Sequence, residues 1–500
     1  MRNYLTIIQL IAFLLLWPFT RVLGADQIDE ITHNINLNRM LRDIESLSST
    51  ELEGRQAGTA GGEKSAKFVM KRLKHLELVP AGERTTSRTN LSWRQQHPHA
   101  ATKLLEPAMA EFTTVQGTLK HTTFSPKLGF DFSPILDSPS ANILAPVIFV
   151  GYGIDDPAHG VNDYEGIDVH NRIVMFLRGK PEHHSTWVTH EEKEQTARRH
   201  GAAGFITLTG PILNRYDARR GMGQAPLAMY SSSSADERPL PGVWISGQVG
   251  DTLFTSQGRS LRNIQAQLNK HSNNHSFELG ITARLQLESK QESGSLINVL
   301  GAIPGRDPLL RDEMVIVGAH RDHFGKQAGQ LFAGADDNAS GTAVLLELAR
   351  VLTKTKPGPA RTIVFISFDG EERGLLGSKL YVSQPTHPLK KVVVMINIDH
   401  VGVGNGKLTV GITRQSKAIG EQSAKLADLS EKIHFYGFFP GGDHVPFFES
   451  GVPTITIVSS GKHSHFHQPS DTAETIHSEI LQKAARYALT LTWLQANQRP

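Results

Sequence analysis

Four short apolar runs in the second half of the chain constrain its fold more than any other feature. They are MVIVGA (Met314 to Ala319), TIVFISF (Thr362 to Phe368), VVVMINI (Val392 to Ile398) and TITIV (Thr454 to Val458). Each is short and rich in β-branched residues, and none alternates with polar residues. A strand with one face in water would show that alternation, so these runs read as strands covered on both faces. The stretches between them have helical spacing. Thr342 to Leu352 is an example, with Val344, Leu345, Leu348 and Leu352 on one side. Strands alternating with helices predict a three-layer α/β architecture built on a mixed sheet.

At 500 residues the chain should hold more than one folding unit. Residues 25–139 open with a helical stretch; the segment from Gly54 to Leu78 has a Gly-rich turn and then Ala66, Val69, Met70 and Leu73 at helical spacing, and strand-like alternation follows from Thr113 to Phe124. Residues 140–275 differ in character. VIFVGYGI (Val147 to Ile154), RIVMFLRG (Arg172 to Gly179) and GFITLTG (Gly204 to Gly210) read as strands, with one helix from Glu191 to His200. This block contains no ordered set of ligand-type residues. It reads as a small β-rich module inserted between residues 25–139 and 276–500 of a larger domain, since a surface loop accepts added residues at small entropic cost.

The first 24 residues read as a secretory leader. Arg2 supplies the positive start, Leu5 to Trp17 the apolar run, and cleavage is expected before Ala25. The run is too short to span a bilayer. A secreted or periplasmic location is therefore expected, with no membrane attachment after the leader is removed. A net charge of +3 sets up no strong field and argues against nucleic-acid partners. The sequence is silent on oligomeric state. With no cysteine, any zinc must be bound by histidine and carboxylate alone, and the chain has 23 histidines.

In an open α/β sheet, sites form beyond the carboxyl ends of strands. VGAHRDHFG ends the first run: His320 comes first, and Asp322 is placed to hold its second ring nitrogen, although a surface His–Asp pair in a turn has the same spelling. GADDNASG leads into a helix, where adjacent aspartates usually cap free N–H groups. One suffices, so Asp336 reads as structural and Asp337 is free to bridge two cations. FDGEERGLLGS follows the second run. Paired glutamates are commonly solvated charges at a helix start. Here Gly374 and Gly377 follow them and argue for close packing, with one glutamate as ligand and its neighbour as general base. INIDHVG places Asp399 after the third run, where a turn former is the plain alternative. HSHFHQPSDT offers three histidines where one is needed, so His463 and His465 read as loop residues. The set His320, Asp337, Glu372, Asp399 and His467, with Glu371 alongside, is the order a two-metal hydrolase requires.

On these segments the chain resembles the secreted co-catalytic dizinc exopeptidases, which include bacterial leucyl-type aminopeptidases and glutamate carboxypeptidases. GRQAGT, HRDH, GADDNASG, DGEERG, NID and FHQPSDT fall where that family has them. VNDYEGIDVHNRIVMFLRGKP and GAAG look like its inserted protease-associated domain. The resemblance implies two Zn2+ and peptide substrates. His320 and Asp399 would hold one zinc, Glu372 and His467 the other, and Asp337 would bridge them. Glu371 would be the general base, Asp322 would orient His320, and the Asp337–Asn338 peptide would be cis. Several relatives place Tyr before the last ligand, where this chain has Phe466. Phenylalanine donates no hydrogen bond, so Tyr436, His444 and His465 become candidates for oxyanion stabilisation. Removal of N-terminal residues is the expected activity. The alternatives are a carboxypeptidase or dipeptidase, which would need a cation such as Arg321 for a terminal carboxylate, a glutaminyl cyclase, or a metal-free receptor-like relative.

Overall fold

The computed structural model describes residues 27–84, 90–116, 120–214, 217–218, 223, 225–232, 238–270, 275–438 and 440–498. The leader expected over residues 1–24 lies outside them. Strands relevant to the site are β1 (Arg94–Gln116), β2 (Ala141–Phe149), β3 (Ile173–Leu177), β4 (Gly204–Leu208), β5 (Gly242–Ile245) and β6 (Phe277–Ile303). The second half adds β7 (Met314–His320), β8 (Thr362–Phe368), β9 (Val392–Ile398), β10 (Leu408–Thr413), β11 (Ile433–Tyr436) and β12 (Thr454–Ser459). The helices that cover them are α1 (Leu37–Leu47), α2 (Ala60–His75), α3 (His190–Arg199), α4 (Gly341–Lys354), α5 (Leu376–Ser383), α6 (His444–Glu449) and α7 (Ser478–Asn497).

The four apolar runs are β7, β8, β9 and β12, and all four are parallel neighbours in the order β12-β9-β7-β8. Their carboxyl ends therefore share one edge of the sheet. Alternate residues go to opposite faces, and both faces are covered. Val315, Val317, Phe365 and Ile396 pack in a core with α1, α2, α4 and α7. Ile316, Val364, Ile366 and Met395 pack on the other side with Tyr381 and Phe447 from α5 and α6. Each such side chain contributes roughly 1.5–3 kcal/mol on burial. Helix α4 shows the expected stripe, but Ala343, Leu346, Ala349 and Val351 are buried too. The cause is that α1 and α7 pack against it in addition to the sheet.

The middle block is layered in the same way. Strands β2, β3, β4 and β5 run parallel. Ile173, Met175 and Leu177 face one apolar core, while Val174 and Phe176 face another. Its sheet is continuous with the main one rather than detached. The 27-residue β6 pairs with β8 through Val299–Ile303 and with β2 through Phe277–Leu287, and β1 runs beside it. At ~3.3 Å per residue, one strand of that length serves both sheets. The block's core also reaches past residues 140–275, taking in Ala110 and Phe112 from β1 and Ile281 to Leu287 from β6. No helix among the described residues is long and apolar enough to cross a membrane.

Candidate metal centre

His320 is the last residue of β7, Asp399 follows β9, Glu371 and Glu372 lie just beyond β8, and His467 sits in the loop after β12. Asp337 lies in the turn leading into α4, and its peptide bond to Asn338 is cis. The structure brings these side chains together. The Asp337 carboxylate faces two histidines at once: Oδ1 is 3.4 Å from His320 Nε2, and Oδ2 is 3.2 Å from His467 Nε2. His320 Nε2 is also 3.2 Å from Asp399 Oδ1, and His467 Nε2 is 3.4 Å from Glu372 Oε2. Each of these two histidines thus meets one private carboxylate, with Asp337 shared. Glu371 offers an oxygen within 4.8 Å of ligand atoms on His320 and Glu372.

Several groups fix this arrangement. Asp471 accepts the N–H groups of Asp336 and Asp337 at 2.9 and 3.1 Å. The Asn338 side chain accepts from Gly341 and His400 and donates to Ile398, tying the start of α4 to the end of β9. Asp336, expected as a helix cap, does something else. Its Oδ1 accepts from the Gly402 and Val403 N–H groups, and its Oδ2 lies 2.6 Å from His463 Nδ1. His463, read from sequence as a loop residue, is therefore a buried brace. The Asp322 carboxylate stands 3.7 Å from His320 Nδ1, but its shorter contacts are the Glu371 and Glu372 N–H groups at 3.1 and 3.3 Å. The closest partner of His320 Nδ1 is the Asp322 carbonyl, at 3.3 Å.

His323 was not singled out from sequence. It is buried, its Nδ1 is 2.6 Å from Glu372 Oε1, and it forms a third close group with Asp337 and Glu372. Its only signal was its place as the fourth letter of HRDH. Arg321, considered as a partner for a substrate carboxylate, is turned into the core. Its guanidinium meets Ser65 Oγ, the Ser367 and Phe368 carbonyls, and Asp369 Oδ2 at 3.1 Å. Phe466 stacks on His467 with ring centroids 3.7 Å apart. Of the oxyanion candidates, Tyr436 is 51% exposed on an edge strand, His465 bonds to Ser470, and His444 is buried at the start of α6.

The electrostatics suit divalent cations. Burial pushes Glu371 well above the ordinary carboxylate range, and Asp399, Asp443 and Asp337 add to this against the pull of His320. Burial also raises Glu372, with Asp337 and Glu371 the next causes. Asp443 is pushed up to about 7, again by burial first. Asp337 goes the other way: burial opposes its charge, but hydrogen bonds from His320 and His467 hold it well below its usual value. His320 is raised well above the ordinary imidazole value because Glu371 and Asp399 outweigh its burial. Carboxylates this crowded and this dry are relieved by positive charge, and nitrogen and oxygen donors of this kind match zinc.

Residues 298–492 match Peptidase family M28. Aminopeptidase YwaD of Bacillus subtilis is 29% identical over 331 residues, which cover 63% of this chain and 61% of that protein. Leucine aminopeptidase 1 of Uncinocarpus reesii is 24% identical over 66% of this chain and 91% of its own length. Among solved structures, an aminopeptidase from Aneurinibacillus sp. strain AM-1 superposes with a TM-score of 0.66 at 22% identity, covering 94% of this chain and 96% of that one. That likeness extends to the fold across the middle block as well. The matched span carries every residue of the cluster described above, and over that span the chain is similar to peptidase family M28.

Proposed function

We propose that this protein is a zinc metallo-aminopeptidase that removes N-terminal residues from peptides at a two-zinc centre. The observation that carries the reading is the Asp337 carboxylate, with one oxygen toward His320 and the other toward His467. His320, Asp337 and Asp399 would hold one zinc, and His467, Asp337 and Glu372 the other. When bound, the zinc pair supplies Lewis acidity to the scissile carbonyl and acidity to the attacking water. Glu371 belongs to neither ligand set but lies within reach of both. Its carboxylate receives the proton of the attacking water and delivers it to the departing amine. The surplus of carboxylate in the cluster suits a substrate bearing a free, positively charged amino terminus.

A carboxypeptidase would need a cation left over for the terminal carboxylate. Arg321 is spent on Asp369 and backbone carbonyls. Arg55 is spent on carbonyls, and Arg373 on Asp137. These contacts favour the aminopeptidase reading.

The test is a screen of amino-acid arylamides against N-blocked peptides, with and without a chelator, on the native protein and on Glu371→Gln. Free-amino arylamides should be cleaved, and chelation should stop the reaction. Glu371→Gln should lower turnover by ~10²–10⁴-fold while zinc content is unchanged. Full activity in that variant, or preference for N-blocked substrates, would refute the assignment.

A further inference from the structure

The two halves of the cluster are held differently. His320 and Asp399 sit at the ends of β7 and β9, and their supporting groups come from the same lobe. Glu372 also meets Asp322 and His323 of its own lobe, but it and His467 are braced from the middle block as well. Asp137, on the segment leading into β2, is buried. It accepts four hydrogen bonds, from the N–H and hydroxyl of Ser231 at 2.9 and 3.2 Å and from those of Ser232 at 2.9 and 2.6 Å. So oriented, its Oδ2 lies 3.1 Å from Nη1 of Arg373, the residue after Glu372. The Arg373 guanidinium also lies 4.3 Å from the centre of the Tyr230 ring.

The same segment reaches the other ligand. Ala228 N–H donates to the His467 carbonyl at 2.9 Å. Phe466, stacked on the His467 ring, packs against the apolar core of the middle block. His467 has φ +56°, a left-handed conformation uncommon for a side chain of this size, and these contacts hold it there.

We propose that Asp137 and residues 228–232 form a clamp that positions Glu372 and His467, so that the middle block completes one zinc site and leaves the other alone. Asp137 and Arg373 are positioning residues in this scheme and touch neither substrate nor metal. The inference rests on the two-zinc reading above. Groups that orient a metal ligand typically change affinity by 10–100-fold when lost.

The test measures zinc affinity by competition with a chromophoric chelator, on the full chain and on its Asp137→Asn and Arg373→Lys variants. Circular dichroism of the metal-free proteins checks that they fold. Asparagine keeps the shape but turns one acceptor into a donor facing the serines. Lysine keeps the charge but loses the fork. In each variant one zinc should bind within about twofold of the native affinity, and the other should weaken by roughly 10–100-fold. Two unchanged affinities, or two that weaken together, would overturn the clamp. If Asp137→Asn does not fold, Arg373→Lys decides the matter by the same outcomes. A native chain that fills only one site would remove the two-zinc reading, and the clamp with it, before any variant is read.

Discussion

Arg55 shows what a single side chain contributes to this site. Its guanidinium is buried and donates to four carbonyls: Leu47, Arg321 and Ala333, each at 2.6 Å, and Gly334 at 2.7 Å. One planar fork thus ties the end of α1, the residue after His320 and the turn leading to Asp337. The preceding Gly54 makes the approach possible. It has φ +68°, and a Cβ there would lie 2.4 Å from the Phe332 carbonyl. Burial pulls the Arg55 guanidinium down to about 10, although Asp471, Asp322, Asp337 and Glu372 favour its charge. Lysine cannot reach four carbonyls in three directions. Arg55→Lys should lose about 2–4 kcal/mol of stability, read as a lowered urea midpoint; an unchanged midpoint would contradict this account. At this scale the sequence was uneven. The cluster residues stood out because ligand chemistry admits few residue types and they fall at strand ends. The roles of Arg55, Asp336 and His463 did not, because most of their partners lie far away along the chain.

Elements buried on both faces were the most legible. Continuous β-branched runs have few other uses, and β7, β8, β9 and β12 fall where such runs occur. The long strands β1 and β6 were not. Their exposed stretches are polar and irregular, so no single period marks them, and their pairing joins residues nearly two hundred positions apart. Helix α3 holds a buried charge with a measurable consequence. Lys193 Nζ donates to the Leu177 and Gly179 carbonyls. Burial pulls its pKa from 10.5 to about 7, against the attraction of Asp163. Between those two pH values the unfolded chain keeps a proton that the folded chain has lost. Stability should therefore rise with pH across that window. Lys193→Met should flatten the rise, as urea unfolding across the window would reveal; an identical pH slope in the variant would show that Lys193 is not its source.

At the scale of the whole molecule, β6 joins the two parts of one continuous sheet, and the ligand cluster lies near where those parts meet. Ala228 and Ser232 of the middle block touch the catalytic half at His467 and Arg373. Sequence gave the middle block its strands but not its attachment, since apolar patterning reports burial and not which lobe supplies the cover. The central claim is that Asp337 lies between two zinc ions. Anomalous diffraction at the zinc edge, from crystals of the zinc-loaded protein, tests it directly. Two peaks about 3.5–4 Å apart are expected, one toward His320 and Asp399 and the other toward His467 and Glu372, with an Asp337 oxygen facing each. A single peak, or zinc bound away from Asp337, would contradict it.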